Sequence, residues 1–143
     1  MLMKRVLAIL ATLLALGALA AGPRVLILEA TAYTSSPRET DSTPYVTATG
    51  ARTRLGILAV SRDLLKELPY GSLVKLEDLG RWRDGQDAGR FNFLFKDVLF
   101  VVEDTMNRRF KQRVDVWLPD RSLALKFGRR RLKLTVVRVG RGR

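Results

Sequence analysis

Two aspartates, Asp104 and Asp115, are the residues of this sequence best placed to do chemistry, and they lie eleven positions apart. The chain contains no histidine and no cysteine. Their absence excludes Ser-His-Asp and Cys-His catalysis, thiolate nucleophiles, disulfides, and metals held by histidine or cysteine. Proton transfer in this protein therefore depends on Asp, Glu, Lys or Tyr, so carboxylate chemistry is the first enzymatic hypothesis.

Asp115 lies in the alternating segment RVDVWL (Arg113–Leu118), a pattern typical of a half-buried strand. Alternation places Asp115 and Trp117 on one face, and Val114, Val116 and Leu118 on the face toward the core. An acid beside an indole suits a sugar site, because the aromatic plane stacks on a pyranose ring while the carboxyl group works on the bond. The alternative is a surface aspartate paired with a nearby arginine (Arg113 or Arg109), with the tryptophan covering the wall of the fold.

The other candidates depend on weaker signals. Asp104 ends an apolar run, where an aspartate also commonly organises a turn through its side chain; the two roles are compatible. Thr47 and Thr49 in a glycine-adjacent loop, and Tyr33 at the end of a strand, offer hydroxyl groups to a sugar; their alternatives are capping and packing. We interpret the acids of helix ends, strand edges and polar turns as solvated: Glu67, Glu77, Asp78, Asp84 and Asp87.

The first twenty residues have the pattern of a secretory signal peptide. Lys4 and Arg5 precede the uncharged apolar run Val6–Leu19, and small residues close it at Ala20. The alternative is an uncleaved anchor. We therefore expect an exported protein of the periplasm, cell envelope or extracellular space, with one domain over residues 21–143.

The chain is strongly basic, with 26 Lys and Arg against 14 Asp and Glu. For an exported protein this charge favours anionic envelope polymers or lipid headgroups over nucleic acid. Membrane contact is expected only through an uncleaved leader or such an anionic surface.

Hydrophobic patterning predicts six strands and two short helices. The predicted strands are Val25–Thr34, Leu55–Val60, Ser72–Glu77, Val98–Glu103, Arg113–Leu118 and Arg131–Val139. The predicted helices are RDLLKEL (Arg62–Leu68), capped by Ser61, and RSLALKF (Arg121–Phe127), capped by Asp120 and ended by Gly128. Between residues 78 and 96 we predict a hairpin, with Phe91, Phe93 and Phe95 alternating on a strand face. Short strands at this spacing indicate a small all-β barrel.

Several motifs occur in a familiar order. They are ATAY (Ala30–Tyr33), TATG (Thr47–Gly50), GILAVS (Gly56–Ser61), PYGS (Pro69–Ser72), EDT (Glu103–Thr105) and RVDVWLPDRSLALKFGRR (Arg113–Arg130). This set resembles the three-aspartate (3D) domain, found in cell-wall-remodelling proteins and in the catalytic part of membrane-bound lytic transglycosylase A. The resemblance covers nearly all of residues 21–143.

The resemblance implies a six-stranded double-psi β-barrel that cleaves the MurNAc–GlcNAc bond of peptidoglycan without water, leaving a 1,6-anhydromuramyl end. It makes Asp115 the catalytic acid/base and puts Asp104 beside it. One carboxyl group is enough, because it first donates a proton to the leaving oxygen and then accepts one from the attacking C6 hydroxyl. We expect a monomer with no cofactor and no metal, acting on peptidoglycan glycan strands.

The sequence also departs from the family pattern. Ser61 stands where the family usually has its first aspartate, and Asp63 is a substitute if the short helix turns it inward. The segment DTMNRR (Asp104–Arg109) lacks the family's usual glycines and brings in two arginines. Two rival functions therefore stay open: a non-catalytic barrel that binds glycan, and a basic envelope protein that binds acidic lipid or nucleic acid.

Overall fold

The computed structural model describes residues 22–35 and 45–142, and the predicted leader, residues 1–20, lies outside them. The described chain is mostly β, with six strands in one sheet and two short α-helices. The strands are β1 Val25–Tyr33, β2 Ile57–Val60, β3 Leu73–Arg81, β4 Phe100–Thr105, β5 Arg113–Trp117 and β6 Arg130–Arg138. The helices are α1 Asn92–Phe95 and α2 Arg121–Phe127, and a 3₁₀ helix spans Arg62–Lys66.

The six strands close into a barrel in the order β1-β5-β2-β4-β3-β6, with β6 paired back to β1. β1 is parallel to β5 and β2 is parallel to β4, whereas the remaining neighbours are antiparallel. Replacing each strand by the one three places along the chain reproduces the same ring and the same parallel pairs. The barrel thus consists of two halves with equivalent strand order.

Alternating side chains from all six strands fill the barrel. Leu58, Val60, Val114 and Val116 are completely buried and belong to one apolar core. The predicted inward face of β5 is therefore confirmed, including Leu118. Each such side chain contributes roughly 1.5–3 kcal/mol on burial, so the alternation itself fixes which face of β5 points outward.

Helix α2 begins and ends where the sequence predicts. The Asp120 carboxylate accepts a hydrogen bond from the backbone N–H of Leu123 at 2.8 Å, which caps the first turn. Gly128 follows the helix with φ 60°, a left-handed conformation that glycine adopts without steric cost. The chain then enters β6.

The prediction that Ser61 caps a helix over Arg62–Leu68 is wrong. The segment forms a 3₁₀ helix that ends at Lys66, and the Ser61 side chain does not cap it. The Ser61 hydroxyl instead accepts a hydrogen bond from the backbone N–H of Arg113 at 3.1 Å. The Ser61 hydroxyl, which the local pattern assigned to the helix, therefore binds the backbone of β5 instead.

The predicted hairpin strand at Phe91–Phe95 is also wrong. Residues 92–95 form α1, with Phe91 and Phe95 buried and Phe93 64% exposed. Spacing of two residues does not distinguish a strand from a single helical turn. A residue outside the segment fixes the start of α1: the Asp78 carboxylate accepts the backbone N–H of Phe91 at 3.0 Å.

Asp78 is likewise not a solvated acid. Strand β3 continues to Arg81 and carries the Asp78 side chain, which is 0% exposed, into contact with the 1% exposed Arg130 at 3.2 Å. The same carboxylate accepts the N–H of Gly80 at 2.8 Å. This closed network ties the 82–99 connection to the barrel.

None of the helices within residues 22–35 and 45–142 is both long and apolar enough to cross a membrane.

Candidate active site

A row of directly paired residues crosses the outer face of four strands. Asp115 in β5 pairs with Thr31 in β1 on one side and with Ala59 in β2 on the other. Ala59 in turn pairs with Asp104 in β4. Directly opposed residues project from the same face of a sheet, so both aspartates lie on the outer wall with one alanine between them. Their backbones are about 10 Å apart, two strand spacings. Ala59 between them is 3% exposed and packs with Tyr33 and Met106.

A β-bulge decides that Asp104 belongs to this row. Leu58 pairs with Val102, but Ala59 pairs with Asp104, so Glu103 is the extra residue. Strict alternation would turn Asp104 to the same side as the fully buried Val102, into the barrel. The bulge reverses this and places the carboxylate outside, beside Ala59.

Three neutral donors converge on Asp104. The Tyr33 hydroxyl donates to Oδ2 at 3.0 Å, and the backbone N–H groups of Ala48 and Thr105 each donate to Oδ1 at 3.0 Å. Hydrogen bonds of this kind stabilise a negative carboxylate and fix its orientation. Asp104 thus has a fixed position at the edge of the row.

The environment of Asp115 differs, although the residue lies in the same row. The Thr31 hydroxyl donates to Oδ1 of Asp115 at 3.0 Å. Because Thr31 is the direct cross-strand partner of Asp115, the bond follows from the parallel register of β1 and β5. Both aspartates are partly exposed, which leaves them reachable from solvent.

Tyr33 joins the two carboxylates electrostatically. Burial raises the pKa of Tyr33 well above its usual value of 10.0, and the charge of Asp104, the hydrogen bond to it and the charge of Asp115 raise the pKa further. The phenol therefore keeps its proton at neutral pH and acts as a donor. Tyr33 also packs with Ala59 and Met106 in a small apolar cluster on this outer face, separate from the barrel core.

The TATG loop supports Asp104 from the solvent side. The Thr49 hydroxyl donates to Glu103, and the hydroxyls of Thr47 and Thr49 are 3.1 Å apart. Thr47 is buried, and its hydroxyl accepts the backbone N–H of Ala51 at 3.1 Å. These contacts hold the loop against β4, in the position from which Ala48 donates to Asp104.

Trp117 extends the site toward a neighbouring depression. It pairs with Tyr33 across β5 and β1, two positions beyond Asp115 on the same face. Its indole N–H donates to the Ser35 hydroxyl at 3.0 Å. The depression has a volume of about 530 Å³ and contains polar and aromatic groups. It is lined by Thr34, Ser35, Tyr45, Arg52, Thr53, Trp117, Pro119, Asp120 and Arg121.

Asp63 lies in the 3₁₀ helix just after β2, where its carboxylate binds Gln112. It accepts the Gln112 side-chain N–H at 2.8 Å and the backbone N–H at 3.0 Å. Slight desolvation raises the pKa of Asp63, but hydrogen bonds from Ser61 and Gln112 outweigh this and lower the pKa below its usual value. Asp63 thus holds the end of the 106–112 loop; its described contacts are there and not in the aspartate row.

The 106–112 loop also brings two guanidinium groups near the site. Arg109 and Arg113 lie over the Phe110 ring at 4.8 and 5.1 Å, and Phe110 packs against the cluster of Tyr33. Arg113 makes its ion pair with Glu29 at 2.8 Å. The sequence alternative in which Arg113 pairs with Asp115 is therefore not the arrangement observed.

The structure thus gathers Asp104, Asp115, Tyr33 and Trp117 on one face, with Thr47 and Thr49 behind Asp104. Asp63 is outside this group, bound to Gln112 in the 3₁₀ helix after β2. Sequence reasoning missed Thr31 and Ala59. Thr31 could have been found from its position two residues before Tyr33, on the same strand face. Ala59 could not, because only its pairing with Asp104 and Asp115 identifies it as part of the site. Within the described residues, no group of three or more acidic side chains is arranged to hold a metal ion.

Comparison of the sequence with protein-family models and with curated proteins finds no match.

Proposed function

We propose that this protein is a lytic transglycosylase, which cleaves the MurNAc–GlcNAc bond of peptidoglycan non-hydrolytically and forms 1,6-anhydromuramyl products. The observation that carries the proposal is the row Asp115–Ala59–Asp104 on the outer wall of the barrel, with Trp117 beside it. It supplies one carboxyl group for proton transfer, a second close by, and an aromatic plane for a sugar.

The proposal includes a double-psi arrangement of the barrel, as in the 3D domain that the motifs resemble. It is supported by the two equivalent halves of the ring and by the parallel pairs β1–β5 and β2–β4.

In the proposed mechanism Asp115 carries both proton transfers. Protonated Asp115 donates to the glycosidic oxygen as the bond to the anomeric carbon breaks. The C6 hydroxyl of the same muramyl residue then attacks that carbon, and the Asp115 carboxylate accepts its proton. Asp115 ends the cycle protonated and no water is consumed, in contrast to ordinary glycosidases, which place a second carboxylate for a nucleophile or for water.

Asp104 has a tuning role in this scheme. Its donors Tyr33, Ala48 and Thr105 hold it as an anion near Asp115. A neighbouring negative charge disfavours ionisation of Asp115, which keeps a proton available for the leaving group. The same charge stabilises the positive character that develops at the anomeric carbon.

The experiment is a digest of purified sacculi, with mass spectrometry of the released muropeptides. We expect anhydromuramyl products from the wild-type protein and none from Asp115→Asn. Asp97→Asn is the matched control, since Asp97 is an exposed acid in the connection before β4. Reducing-end products would indicate hydrolysis and contradict the proposal.

The second candidate function is a barrel that binds peptidoglycan without cutting it. It is favoured by Ser61, which occupies the position of the family's first aspartate and is completely buried, with its hydroxyl bonded to the backbone of Arg113. Equal retention of wild type and Asp115→Asn on sacculi, with no product from either, would identify this function.

Export belongs to the same proposal, because the substrate lies outside the cytoplasm. Residues 1–20 fused to a reporter enzyme that works only after export should make the reporter active, whereas the same fusion with Lys4, Arg5 and Leu13 replaced by acidic residues should not.

A further inference from the structure

Two arginines stack on one tryptophan on the wall of the barrel that lies across the ring from the aspartate row. The guanidinium carbons of Arg129 and Arg131 lie 5.5 and 5.0 Å from the centre of the Trp82 ring. Trp82 follows β3, and its backbone N–H donates to the carbonyl of Arg129 at 3.0 Å. Strands β3 and β6 are farthest in the ring order from β2 and β5, which carry Ala59 and Asp115, and Glu29 of β1 lies between this surface and Arg113.

Arg131 faces outward because its neighbour faces inward. Arg130, the first residue of β6, points to Asp78 and is 1% exposed, so the next residue, Arg131, points outward. Lys133 continues the same outward face, about 7 Å along the strand. Arg129 lies just before β6, beside this pair of cations.

The positive charge of this surface is only partly neutralised. Arg129 binds Glu29, which also binds Arg113. Arg81 binds Asp87, and Lys133 lies 3.8 Å from the carboxylate of Glu77. Arg83 and Arg131 form no ion pair with any residue in 22–35 or 45–142. A depression of about 560 Å³ lies between these groups, lined by Arg81, Trp82, Arg83 and Arg129.

We propose that this surface, defined by Arg81, Trp82, Arg83, Arg129, Arg131 and Lys133, binds the oxyanion groups of a polyanionic chain. Guanidinium groups that lie over an indole ring have restricted freedom, so less side-chain entropy is lost when their N–H groups bind phosphate or carboxylate oxygens. The spacing of Arg131 and Lys133 along β6 suits a polymer with repeated charges. The half-buried indole under its arginines does not suit insertion into a lipid surface.

The proposal is independent of glycan cleavage, and Trp82 provides its own probe. The sequence has two tryptophans, so Trp117→Phe leaves Trp82 as the single emitter. We would titrate this full-length variant with long-chain inorganic polyphosphate and with polygalacturonate, at low and at physiological ionic strength. Tight, salt-dependent binding of either polymer is expected; preference between them identifies whether phosphate or carboxylate is the oxyanion recognised.

The deciding variant is Arg83→Gln with Arg131→Gln, in the same background. Removing two cations should weaken binding of the preferred polymer roughly tenfold and flatten its dependence on salt. The matched control is Arg62→Gln with Lys66→Gln on the exposed side of the 3₁₀ helix, which removes the same charge and should change affinity less than about twofold. Far-UV circular dichroism and the urea midpoint verify that both variants fold.

A third variant tests whether the guanidinium group itself matters or only its charge. Arg131→Lys keeps the positive charge but lacks the guanidinium group that lies over the Trp82 ring, so it should weaken binding several-fold. Equal losses for both double variants, or no loss for Arg131→Lys, would overturn the proposal. So would failure of both polymers to bind, or tighter Arg83- and Arg131-dependent binding to vesicles of anionic phospholipid.

Discussion

Asp78 and the Asp104–Asp115 pair are acidic side chains of the same small barrel that differ in burial and in the groups that bind them. Asp78 is completely buried against Arg130 and also accepts backbone N–H groups. Asp104 and Asp115 are partly exposed on the outer wall, and their described donors are hydroxyl and backbone N–H groups, Tyr33 among them. The buried ion pair of Asp78 stabilises the fold, whereas the partly exposed carboxylates of Asp104 and Asp115 are accessible from solvent.

The difference comes from the direction in which each strand presents its acid. Arg130 of β6 and Asp78 of β3 form an ion pair in the interior, where an ion without its partner costs several kcal/mol. Asp115 and Asp104 project outward and are partly exposed. Substitutions should therefore divide into those that cost activity and those that cost stability.

The largest expected effect is on activity. Asp115→Asn removes the group that transfers protons, so release of anhydromuramyl products should fall by about 10²–10⁴. Because Asp115 is on the outer wall, the urea midpoint should stay close to that of the wild type. A large loss of stability with Asp115→Asn would place Asp115 in the same class as Asp78 and break the comparison.

The second effect is on stability. Arg130→Met leaves Asp78 buried without its counter-ion, which should lower the free energy of unfolding by about 3–5 kcal/mol. Adding Asp78→Asn should recover part of this loss, since the stranded charge disappears. Urea denaturation measures both variants, and cleavage per folded molecule should be unchanged; a specific loss of cleavage would extend the active site to the far wall.

The third effect is a dependence on pH. The pKa of Tyr33 is raised in the folded state, so above pH 10 the unfolded chain releases a proton that the folded chain keeps. Stability should therefore decline as pH rises above 10, by about 1.4 kcal/mol per pH unit from this residue. Tyr33→Phe should remove that part of the slope between pH 10 and 11 in urea titrations. An unchanged slope would mean that neither burial nor the two carboxylates raise the pKa of Tyr33 in the folded state.

The smallest effect is expected at Asp63. Asp63→Asn keeps a side chain that still accepts from Gln112, so we expect cleavage within about twofold of the wild type and a stability change below about 1 kcal/mol. Asp63→Ala tests the loop tether more severely. A tenfold loss of cleavage with Asp63→Asn would show instead that Asp63 serves as the missing first aspartate of the resembling family.

Elements set by local pattern could be predicted from the sequence. Alternation in β5 gave the outward face of Asp115 and Trp117, and Asp120 and Gly128 marked the ends of α2. These signals lie within a few residues of the feature that they determine. The same holds for the number of strands, because each is a short apolar run between polar segments.

Features set by distant partners could not be predicted in this way. The face on which Asp104 lies depends on a bulge in its pairing with β2, and alternation within β4 alone would place it inside. The helix at α1 depends on Asp78, 13 residues before Phe91. Ser61 turns from its own helix to Arg113, 52 residues away. In each case a contact with a residue outside the local segment outweighs a local preference.

The strand order of the barrel has a consequence for how the chain reaches this structure. Among the named strands, β1 pairs with β5 and β6, β2 with β4 and β5, and β3 with β4 and β6. Every ladder therefore joins one of the first three strands to one of the last three. The strands up to Arg81 cannot form a sheet among themselves and pair only after the later strands have been made. Such long loop closures slow folding, because chain entropy is lost before any contact compensates. We therefore expect that no ladder of this sheet forms in a nascent chain before β4 has been made, and that the ring closes only when β6 pairs with β1 and β3.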